Sequence, residues 1–188
     1  MDLQSILVKA KDGTVSDAEF QYVRQIVQSR DIEKGDLYTA LHVLGLTTGP
    51  ESEDLVRPYL GFSHDRMVAR LALQILYGYW GIYERSAHDA QRFLAGVDWD
   101  ADGDVRQMAV ELSVPLLREA ATSKVTAGLL LRVAEDEAES PVLRADAIRA
   151  LAGGLWYPRA DLPRSGGKPK PDSKWSLEVL ERAKRKFK

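Results

Sequence analysis

The residues with the clearest potential for chemistry are the aspartates of the segment Asp98-Trp-Asp100-Ala-Asp102-Gly103-Asp104. Carboxylates at alternate positions, followed by a glycine for a sharp turn, form the first half of a loop that wraps calcium. The second half does not match, because Ala109 occupies the position that should supply a bidentate glutamate. We therefore expect Asp100 and Asp102 to cap the helix that follows, and calcium binding stays an open alternative.

No other residue pattern predicts catalysis or a cofactor. The histidines His42, His64 and His88 are too far apart in sequence for the spacing of about three or four residues that a helical metal pair needs. The absence of cysteine excludes a disulfide framework, a thiolate metal site and a cysteine nucleophile. No phosphate-binding loop, dinucleotide fingerprint, zinc-protease motif or serine-hydrolase motif occurs. We expect a protein that is not an enzyme, with no catalytic residue, no metal and no cofactor.

The composition is typical of a globular protein. The chain has 188 residues, of which 45% are hydrophobic and 29% are charged, enough to bury a core. No stretch approaches the roughly 20 apolar residues of a membrane helix, and the first residues lack the basic start and apolar run of a signal peptide. We therefore expect a cytoplasmic protein that does not bind membranes.

Charge is distributed unevenly along the chain. Residues 1–156 contain 16 lysines and arginines against 24 aspartates and glutamates, whereas residues 157–188 contain 10 against 4. The acidic body favours a basic protein partner, because proteins that bind nucleic-acid backbones need a positive face. The basic tail keeps nucleic acid as the less favoured alternative, although a solvated charged helix would have the same composition.

Three segments of the sequence superpose, with starts that lie 37 and 38 residues apart. Each begins with a helix-capping Asp or Ser, has a branched apolar residue three positions later, and has an alanine four positions after that. A shorter amphipathic stretch precedes each segment, so the repeating unit is predicted to be a helical hairpin. The segments begin at Asp65, Asp102 and Ser140, and the preceding helices are predicted at Glu53–Tyr59, His88–Val97 and Ser123–Ala134.

The second helices resemble the HEAT repeat, most closely in Val105-Arg106-Gln-Met-Ala109 and Leu143-Arg144-Ala-Asp-Ala147. The resemblance implies an all-α fold, a short right-handed α-solenoid of about four HEAT-like helical hairpins with capping helices. We expect one domain, 1–188. It comprises a divergent N-terminal repeat and cap (1–52), three HEAT-like repeats (53–156), a loop (157–173) and a C-terminal capping helix (174–188).

Polar and aromatic side chains on the second helices give a candidate interaction surface. In HEAT proteins the second helices line the concave face, so the resemblance implies that these residues form one continuous inner face. Tyrosine and tryptophan are also enriched at interface hot spots. The alternatives are a merely solvated face and aromatic rings that fill gaps between repeats. The candidate partner-binding residues are Arg66, Arg70, Gln74, Tyr77, Tyr79, Trp80, Gln107, Glu111, Arg118, Arg149 and Trp156.

Two functions of different classes remain open. The first is a non-catalytic protein-binding module, an acidic HEAT-like scaffold or inhibitor, because a solenoid offers a large preformed surface. In size and charge the chain is similar to bacterial immunity proteins that neutralise basic toxins. The second is nucleic-acid binding, from a fold-level resemblance to HEAT-like DNA glycosylases. That function would use Arg66, Arg70, Arg106, Arg144, Arg149 and the basic tail around Trp156 or Trp99.

Replacing Ala109 or Ala147 by leucine tests the register of the repeats. Both alanines are predicted to lie where helices approach closely, so a larger side chain should overpack the contact. The free energy of unfolding should fall by about 1–3 kcal/mol, measured by thermal or urea unfolding. Unchanged melting would refute the register.

Overall fold

The computed structural model describes residues 1–29, 34–83, 87–157 and 170–187. Every regular element in these ranges is helical, which confirms the predicted all-α class. No helix in the described part of the chain has the length and apolar character needed to cross a bilayer.

The chain divides into two compact units, Met1–Ile82 and Tyr83–Lys188. A single right-handed solenoid over 1–188 stays a prediction. The first unit contains α1 (Leu3–Lys11), α2 (Asp17–Ser29), α3 (Lys34–Thr47), α4 (Glu53–Val56), α5 (Arg66–Leu73), the 3₁₀ helices Pro50–Ser52 and Arg57–Gly61, and a π-helix (Gln74–Tyr79). The second unit contains α6 (Ala87–Ala95), α7 (Asp104–Glu111), α8 (Val114–Arg118), α9 (Ala120–Glu135), α10 (Pro141–Gly154) and α11 (Lys174–Lys186).

Capping side chains set where the first two helices begin. The Asp2 carboxylate accepts hydrogen bonds from the N–H groups of Gln4 (3.2 Å) and Ser5 (3.1 Å) at the start of α1. Before α2, the Ser16 N–H donates to the Glu19 carboxylate (3.0 Å) and the Glu19 N–H donates to the Ser16 hydroxyl (3.4 Å). This reciprocal capping box satisfies N–H groups that the helix itself leaves without acceptors.

Helix α3 forms the centre of the first unit, where it packs against α1, α2 and α5. Its Leu37, Leu41 and Leu44 are buried and lie on one face, because their spacing follows the helical repeat. Gly45 lets the π-helix approach closely, since a Cβ at this position would lie 2.5 Å from Cγ1 of Ile75. The core of the first unit therefore depends on one leucine stripe and one glycine of α3.

The predicted helix Glu53–Tyr59 is only partly confirmed. Helix α4 ends at Val56, and the 3₁₀ helix Arg57–Gly61 follows. Pro58 explains the change, because its nitrogen has no hydrogen to donate to the carbonyl of Asp54. The chain therefore tightens where an α-helical hydrogen bond is missing.

After α5 the chain widens into the π-helix, where the Trp80 N–H donates to the carbonyl of Ile75 at 3.0 Å. A uniform α-helix would have placed Tyr77 on the same face as Arg70 and Gln74, two other residues of the candidate surface. Tyr77 instead lies within the π-helix and is fully buried. The prediction that Tyr77 binds a partner is therefore wrong, because Tyr77 belongs to the core.

Helix α10 forms the centre of the second unit, in contact with α7, α8, α9 and α11. Its Leu143, Ala147 and Leu151 are buried along one face. Ala109 of α7 is also fully buried, as the alignment of the repeats predicts. The small side chains of Ala109 and Ala147 allow neighbouring helices to pack closely.

Gln107, Glu111 and Arg118 are candidate binding residues of one repeat, but they lie on two separate helices, α7 and α8. Pro115, in the first turn of α8, lacks the N–H that an uninterrupted helix would donate to the carbonyl of Glu111. Arg118 therefore lies on α8, on a different helix from the other candidate residues Gln107 and Glu111.

Arginines of α7 and α10 each fasten their helix to an earlier helix of the second unit. Arg106 Nε donates to the Leu94 carbonyl at 3.1 Å in the pair α6 and α7. Arg144 Nε donates to the Ala134 carbonyl at 3.1 Å in the pair α9 and α10. Both carbonyls lie in the last turn of a helix, where the helix itself supplies no donor. The two motif arginines thus share one structural role, while membership of the HEAT family stays an expectation.

Helix α11 lies within the predicted capping helix 174–188. Val179 and Leu180 of this helix are buried, whereas Leu177 is 53% exposed. Leu177 and Val179 are two positions apart and therefore point to different sides of a helix. Of the predicted loop 157–173, residues 158–169 lie outside the described residues.

Two glycine substitutions test how closely α8 packs against α10. At Gly154 a Cβ would lie 2.7 Å from the Cβ of Leu117, whereas a Cβ at Gly128 of α9 would meet no atom within 4 Å. Gly154→Ala should lower the free energy of unfolding by about 1–3 kcal/mol. Gly128→Ala, the matched control, should raise it by about 0.4–1 kcal/mol. Chemical denaturation measures both changes, and equal effects would contradict the close contact.

Candidate interaction surfaces

Asp100 caps the N-terminus of α7. Its Oδ2 accepts hydrogen bonds from the N–H groups of Val105 (3.0 Å) and Arg106 (2.9 Å), and the residue is 8% exposed. The predicted capping role of Asp100 is therefore confirmed. Among the residues that the structure describes, no three histidine, aspartate or glutamate side chains come together as a potential metal site.

Trp156 ends α10 with a backbone conformation that is unusual for a bulky residue. Its φ angle is 59°, and its side chain is 67% exposed. The N–H groups of Trp156 and Tyr157 donate to the carbonyls of Gly153 (3.3 Å) and Ala152 (3.1 Å), the pattern of a Schellman motif. Glycine is favoured at this left-handed position, which costs other residues about 1–2 kcal/mol. The end of α10 therefore presents a strained tryptophan to solvent.

Arg118 reaches Trp156 from α8. Its guanidinium carbon lies 3.9 Å from the centroid of the indole ring, and its Nη2 donates to the carbonyl of Gly153 at 3.1 Å. A cation–π contact at an exposed site contributes about 0.5–1 kcal/mol. Arg118 thus covers one face of the indole, and the residue is still 67% exposed.

Further cations and a second aromatic ring lie at the same end of α10. The Arg182 guanidinium lies 4.6 Å from the centroid of the Tyr157 ring and donates to the Tyr157 hydroxyl at 3.0 Å. Lys186 Nζ donates to the carbonyl of Gly154 at 3.0 Å. We name this group the Trp156 surface. It comprises Arg118, Leu155, Trp156, Tyr157, Arg182, Arg185 and Lys186.

A second aromatic surface lies on the first unit. The rings of His42 and Tyr79 are stacked with centroids 6.3 Å apart, and Tyr38 meets His42 edge-on at 6.3 Å. Gln74 Nε2 donates to the Tyr79 hydroxyl at 3.3 Å. We name Tyr38, His42, Gln74 and Tyr79 the Tyr79 surface. Its position at a π-helix is notable because π-helical turns occur frequently at functional sites.

Burial shifts the pKa of two members of the Tyr79 surface. Burial, reinforced by the charge of Lys11, lowers the pKa of the His42 imidazole. Burial, reinforced by Tyr38, raises the pKa of the Tyr79 phenol. Both shifts favour the neutral forms, so both rings are uncharged at neutral pH.

The structure brings several of the predicted residues together within each unit. Gln74 contacts Tyr79 in the first unit, and Arg118 contacts Trp156 in the second. Two further predicted residues contact acidic side chains. Gln107 Nε2 donates to the Glu111 carboxylate at 3.3 Å, and Arg149 Nη1 lies 3.8 Å from Oδ1 of the buried Asp146.

The other predicted residues have different surroundings. The Trp80 indole N–H donates to the carbonyl of Gly45 at 3.1 Å, so Trp80 fills the contact between the π-helix and α3. Arg66 is exposed and Arg70 is half-buried on α5. Trp80 therefore fits the gap-filling alternative better than the interaction surface.

Sequence reasoning missed part of each surface. The helical spacing of Tyr38 and His42 could have revealed that they are neighbours. Nothing local predicts that cations of α11 lie beside the end of α10, because that contact joins residues far apart in sequence. The missed residues are Tyr38, His42, Tyr157, Arg182, Arg185 and Lys186.

No protein-family model, curated protein or solved structure matches the chain. Its own geometry and charge are therefore what bear on function.

His42 should make the stability of the protein depend on pH. Its folded-state pKa is lowered, so below the ordinary histidine pKa of about 6.5 the unfolded chain takes up the proton more readily than the folded chain. Stability contributed by neutral His42 is present above that pKa and is lost as the pH falls below it. The wild type should lose more stability between about pH 7.5 and pH 5 than His42→Gln does.

Thermal unfolding across this pH range measures the effect. His64→Gln removes another histidine from the same unit and serves as the control. Identical pH profiles for the wild type and His42→Gln would contradict the assigned role of His42.

Proposed function

We propose that the protein is a non-catalytic protein-binding module that engages its partner through the Trp156 surface. Trp156 itself carries this proposal, as an exposed bulky residue in a left-handed backbone conformation. Residues with such strain persist where the surrounding structure over-determines them, and they cluster at functional sites. A side chain that is ordered before binding also loses less entropy when the partner arrives.

The chemistry of the Trp156 surface is that of an interface hot spot. Tryptophan, tyrosine and arginine are the residues whose truncation most often costs binding energy. Trp156, Tyr157 and Arg118 lie together, and the bond from Arg118 to Gly153 holds the guanidinium in place. The Tyr79 surface offers a second set of aromatic rings on the first unit.

We propose further that the protein is an acidic HEAT-like scaffold or inhibitor in the cytoplasm. The specific function proposed is that of an immunity protein that neutralises a basic toxin. The acidic excess of residues 1–156 supports a basic partner, because opposite charge speeds encounter. On the second unit, Asp98, Asp136 and Glu137 are exposed and contribute to that charge.

Nucleic-acid binding, including a role like that of HEAT-like DNA glycosylases, is the second candidate. The exposed indole of Trp156 favours it, because bases stack on tryptophan beside cations. Arg106 and Arg144 speak against it, since both donate to helix carbonyls and their side chains are only 22% and 16% exposed. Protein binding is therefore the better supported function.

Trp156→Gly should abolish binding of the partner while leaving the fold intact. Glycine relieves about 1–2 kcal/mol of backbone strain, which offsets the loss of about 0.5–1 kcal/mol of contact with Arg118. The free energy of unfolding should therefore stay within about 1 kcal/mol of the wild-type value. Trp156→Phe is the matched control, because it keeps an aromatic ring on the same backbone.

Capture from a lysate of the source cells on immobilised full-length protein measures the binding, with retained proteins quantified by mass spectrometry. We expect one protein in stoichiometric amount on the wild type and on Trp156→Phe, and its loss on Trp156→Gly. Equal retention by all three would reject the Trp156 surface. Recovery of nucleic acid without a protein would favour the second candidate.

A further inference from the structure

We propose that the Trp156 surface binds an acidic protein segment, whose carboxylates enter the cavity beside Leu155 while a flat apolar side chain stacks on Trp156. This inference rests on the proposed function and defines the partner's chemistry at the same surface. It differs from the basic partner expected from residues 1–156, because the charge around Trp156 itself is positive.

The cavity beside Leu155 has the size and charge to receive a carboxylate. It is open, has a volume of about 360 Å³, and is lined by Arg182, Arg185, Lys186 and the apolar Leu155. Cations that converge on one cavity raise the local potential for anions. Hydrogen bonds from arginine to a carboxylate are charge-assisted and often bidentate, which makes them stronger than neutral ones.

The cations of the cavity are held in place and still have donors to spare. Lys186 Nζ donates to the carbonyl of Gly154, and Arg182 Nη1 donates to the hydroxyl of Tyr157. Ammonium and guanidinium groups each carry several N–H donors, so both side chains can also donate to a bound carboxylate. Because these contacts already restrain the side chains, a partner meets a smaller entropic cost.

Carboxylates on α11 favour an acidic protein segment over nucleic acid. Glu178 and Glu181 are 57% and 65% exposed, and Glu178 lies 3.7 Å from Arg182. A nucleic-acid strand carries a negative charge at every phosphate, so an extended strand would meet these carboxylates as well as the cations. A peptide can place one or two carboxylates in the cavity and uncharged residues beside Glu178 and Glu181.

Trp156 supplies selectivity that the cations lack. Because Arg118 covers one indole face, the remaining surface of the ring is left for one flat group. Aromatic rings stack on such a surface in offset or edge-on geometry. The expected recognition element is therefore a carboxylate followed within a few residues by an aromatic side chain.

Binding of labelled peptides to the full-length protein tests this inference. The probe is a short peptide in which one phenylalanine is flanked by aspartates and glutamates. The controls are the same peptide with asparagine and glutamine instead, and oligothymidylate of similar length. Fluorescence anisotropy gives the dissociation constants, and the NMR signal of the Trp156 indole N–H reports the site. We expect the amide peptide to bind about tenfold or more weakly than the acidic peptide.

Charge reversal at the cavity provides the matched variants. Arg185→Glu should weaken binding of the acidic peptide about tenfold or more. Arg132→Glu makes the same charge change at an exposed residue of α9 outside the Trp156 surface, and should change binding by about twofold or less. Circular dichroism and thermal melting establish that both variants fold.

The outcomes separate this inference from the proposed function. If Arg185→Glu and Arg132→Glu weaken binding of the acidic peptide equally, the attraction is non-specific, and the proposal that this surface binds an acidic segment is overturned. Tighter binding of oligothymidylate than of the acidic peptide would overturn it in favour of nucleic acid. If no probe binds while Trp156→Gly still loses the captured partner, the acidic segment is rejected and the protein-binding function stands.

Discussion

The last carbonyl groups of α10 must find hydrogen-bond donors, and the Trp156 surface follows from that need. Arg118 and Lys186 donate to the carbonyls of Gly153 and Gly154, so α8 and α11 must both place a cation at this end of α10. Cations are also favoured there by the helix dipole. The Schellman turn, in which the carbonyls of Ala152 and Gly153 accept hydrogen bonds from Tyr157 and Trp156, places Trp156 in its left-handed conformation. A requirement for stability thus assembles positive charge around an exposed aromatic ring.

The same requirement accounts for other parts of the second unit. Arg106 and Arg144 satisfy carbonyls at the ends of α6 and α9, while Asp100 satisfies N–H groups at the start of α7. Short helices have a large share of unpaired backbone groups, so a fold built from them spends many polar side chains on helix ends. Motif residues that appear available for binding in the sequence are therefore occupied in the fold. The cations of the Trp156 surface come from α8 and α11.

Local rules predicted the helices well, because capping residues and apolar spacing act within a few positions. The burial of Ala109 and the capping role of Asp100 follow from such rules. The π-helix, which packs against α3, follows from no such rule, and Tyr77 is misplaced for that reason. The Trp156 surface was predicted only in part, because Arg118 and Arg182 reach it from other helices. Sequence spacing carries no information about such long-range contacts.

Net charge does not determine which partner charge a given surface accepts. Charges in solution are screened over about 8–10 Å at physiological salt. Helix α10 has 14 residues, a length of about 20 Å, and it runs from the acidic residues that end at Glu139 to the cations beside Trp156. A group docked on Trp156 therefore interacts more with Arg118 and the cations of α11 than with the acidic residues Asp136 and Glu137. One small unit can thus attract a basic protein through its acidic regions and still hold an acidic segment of that protein in its basic cavity.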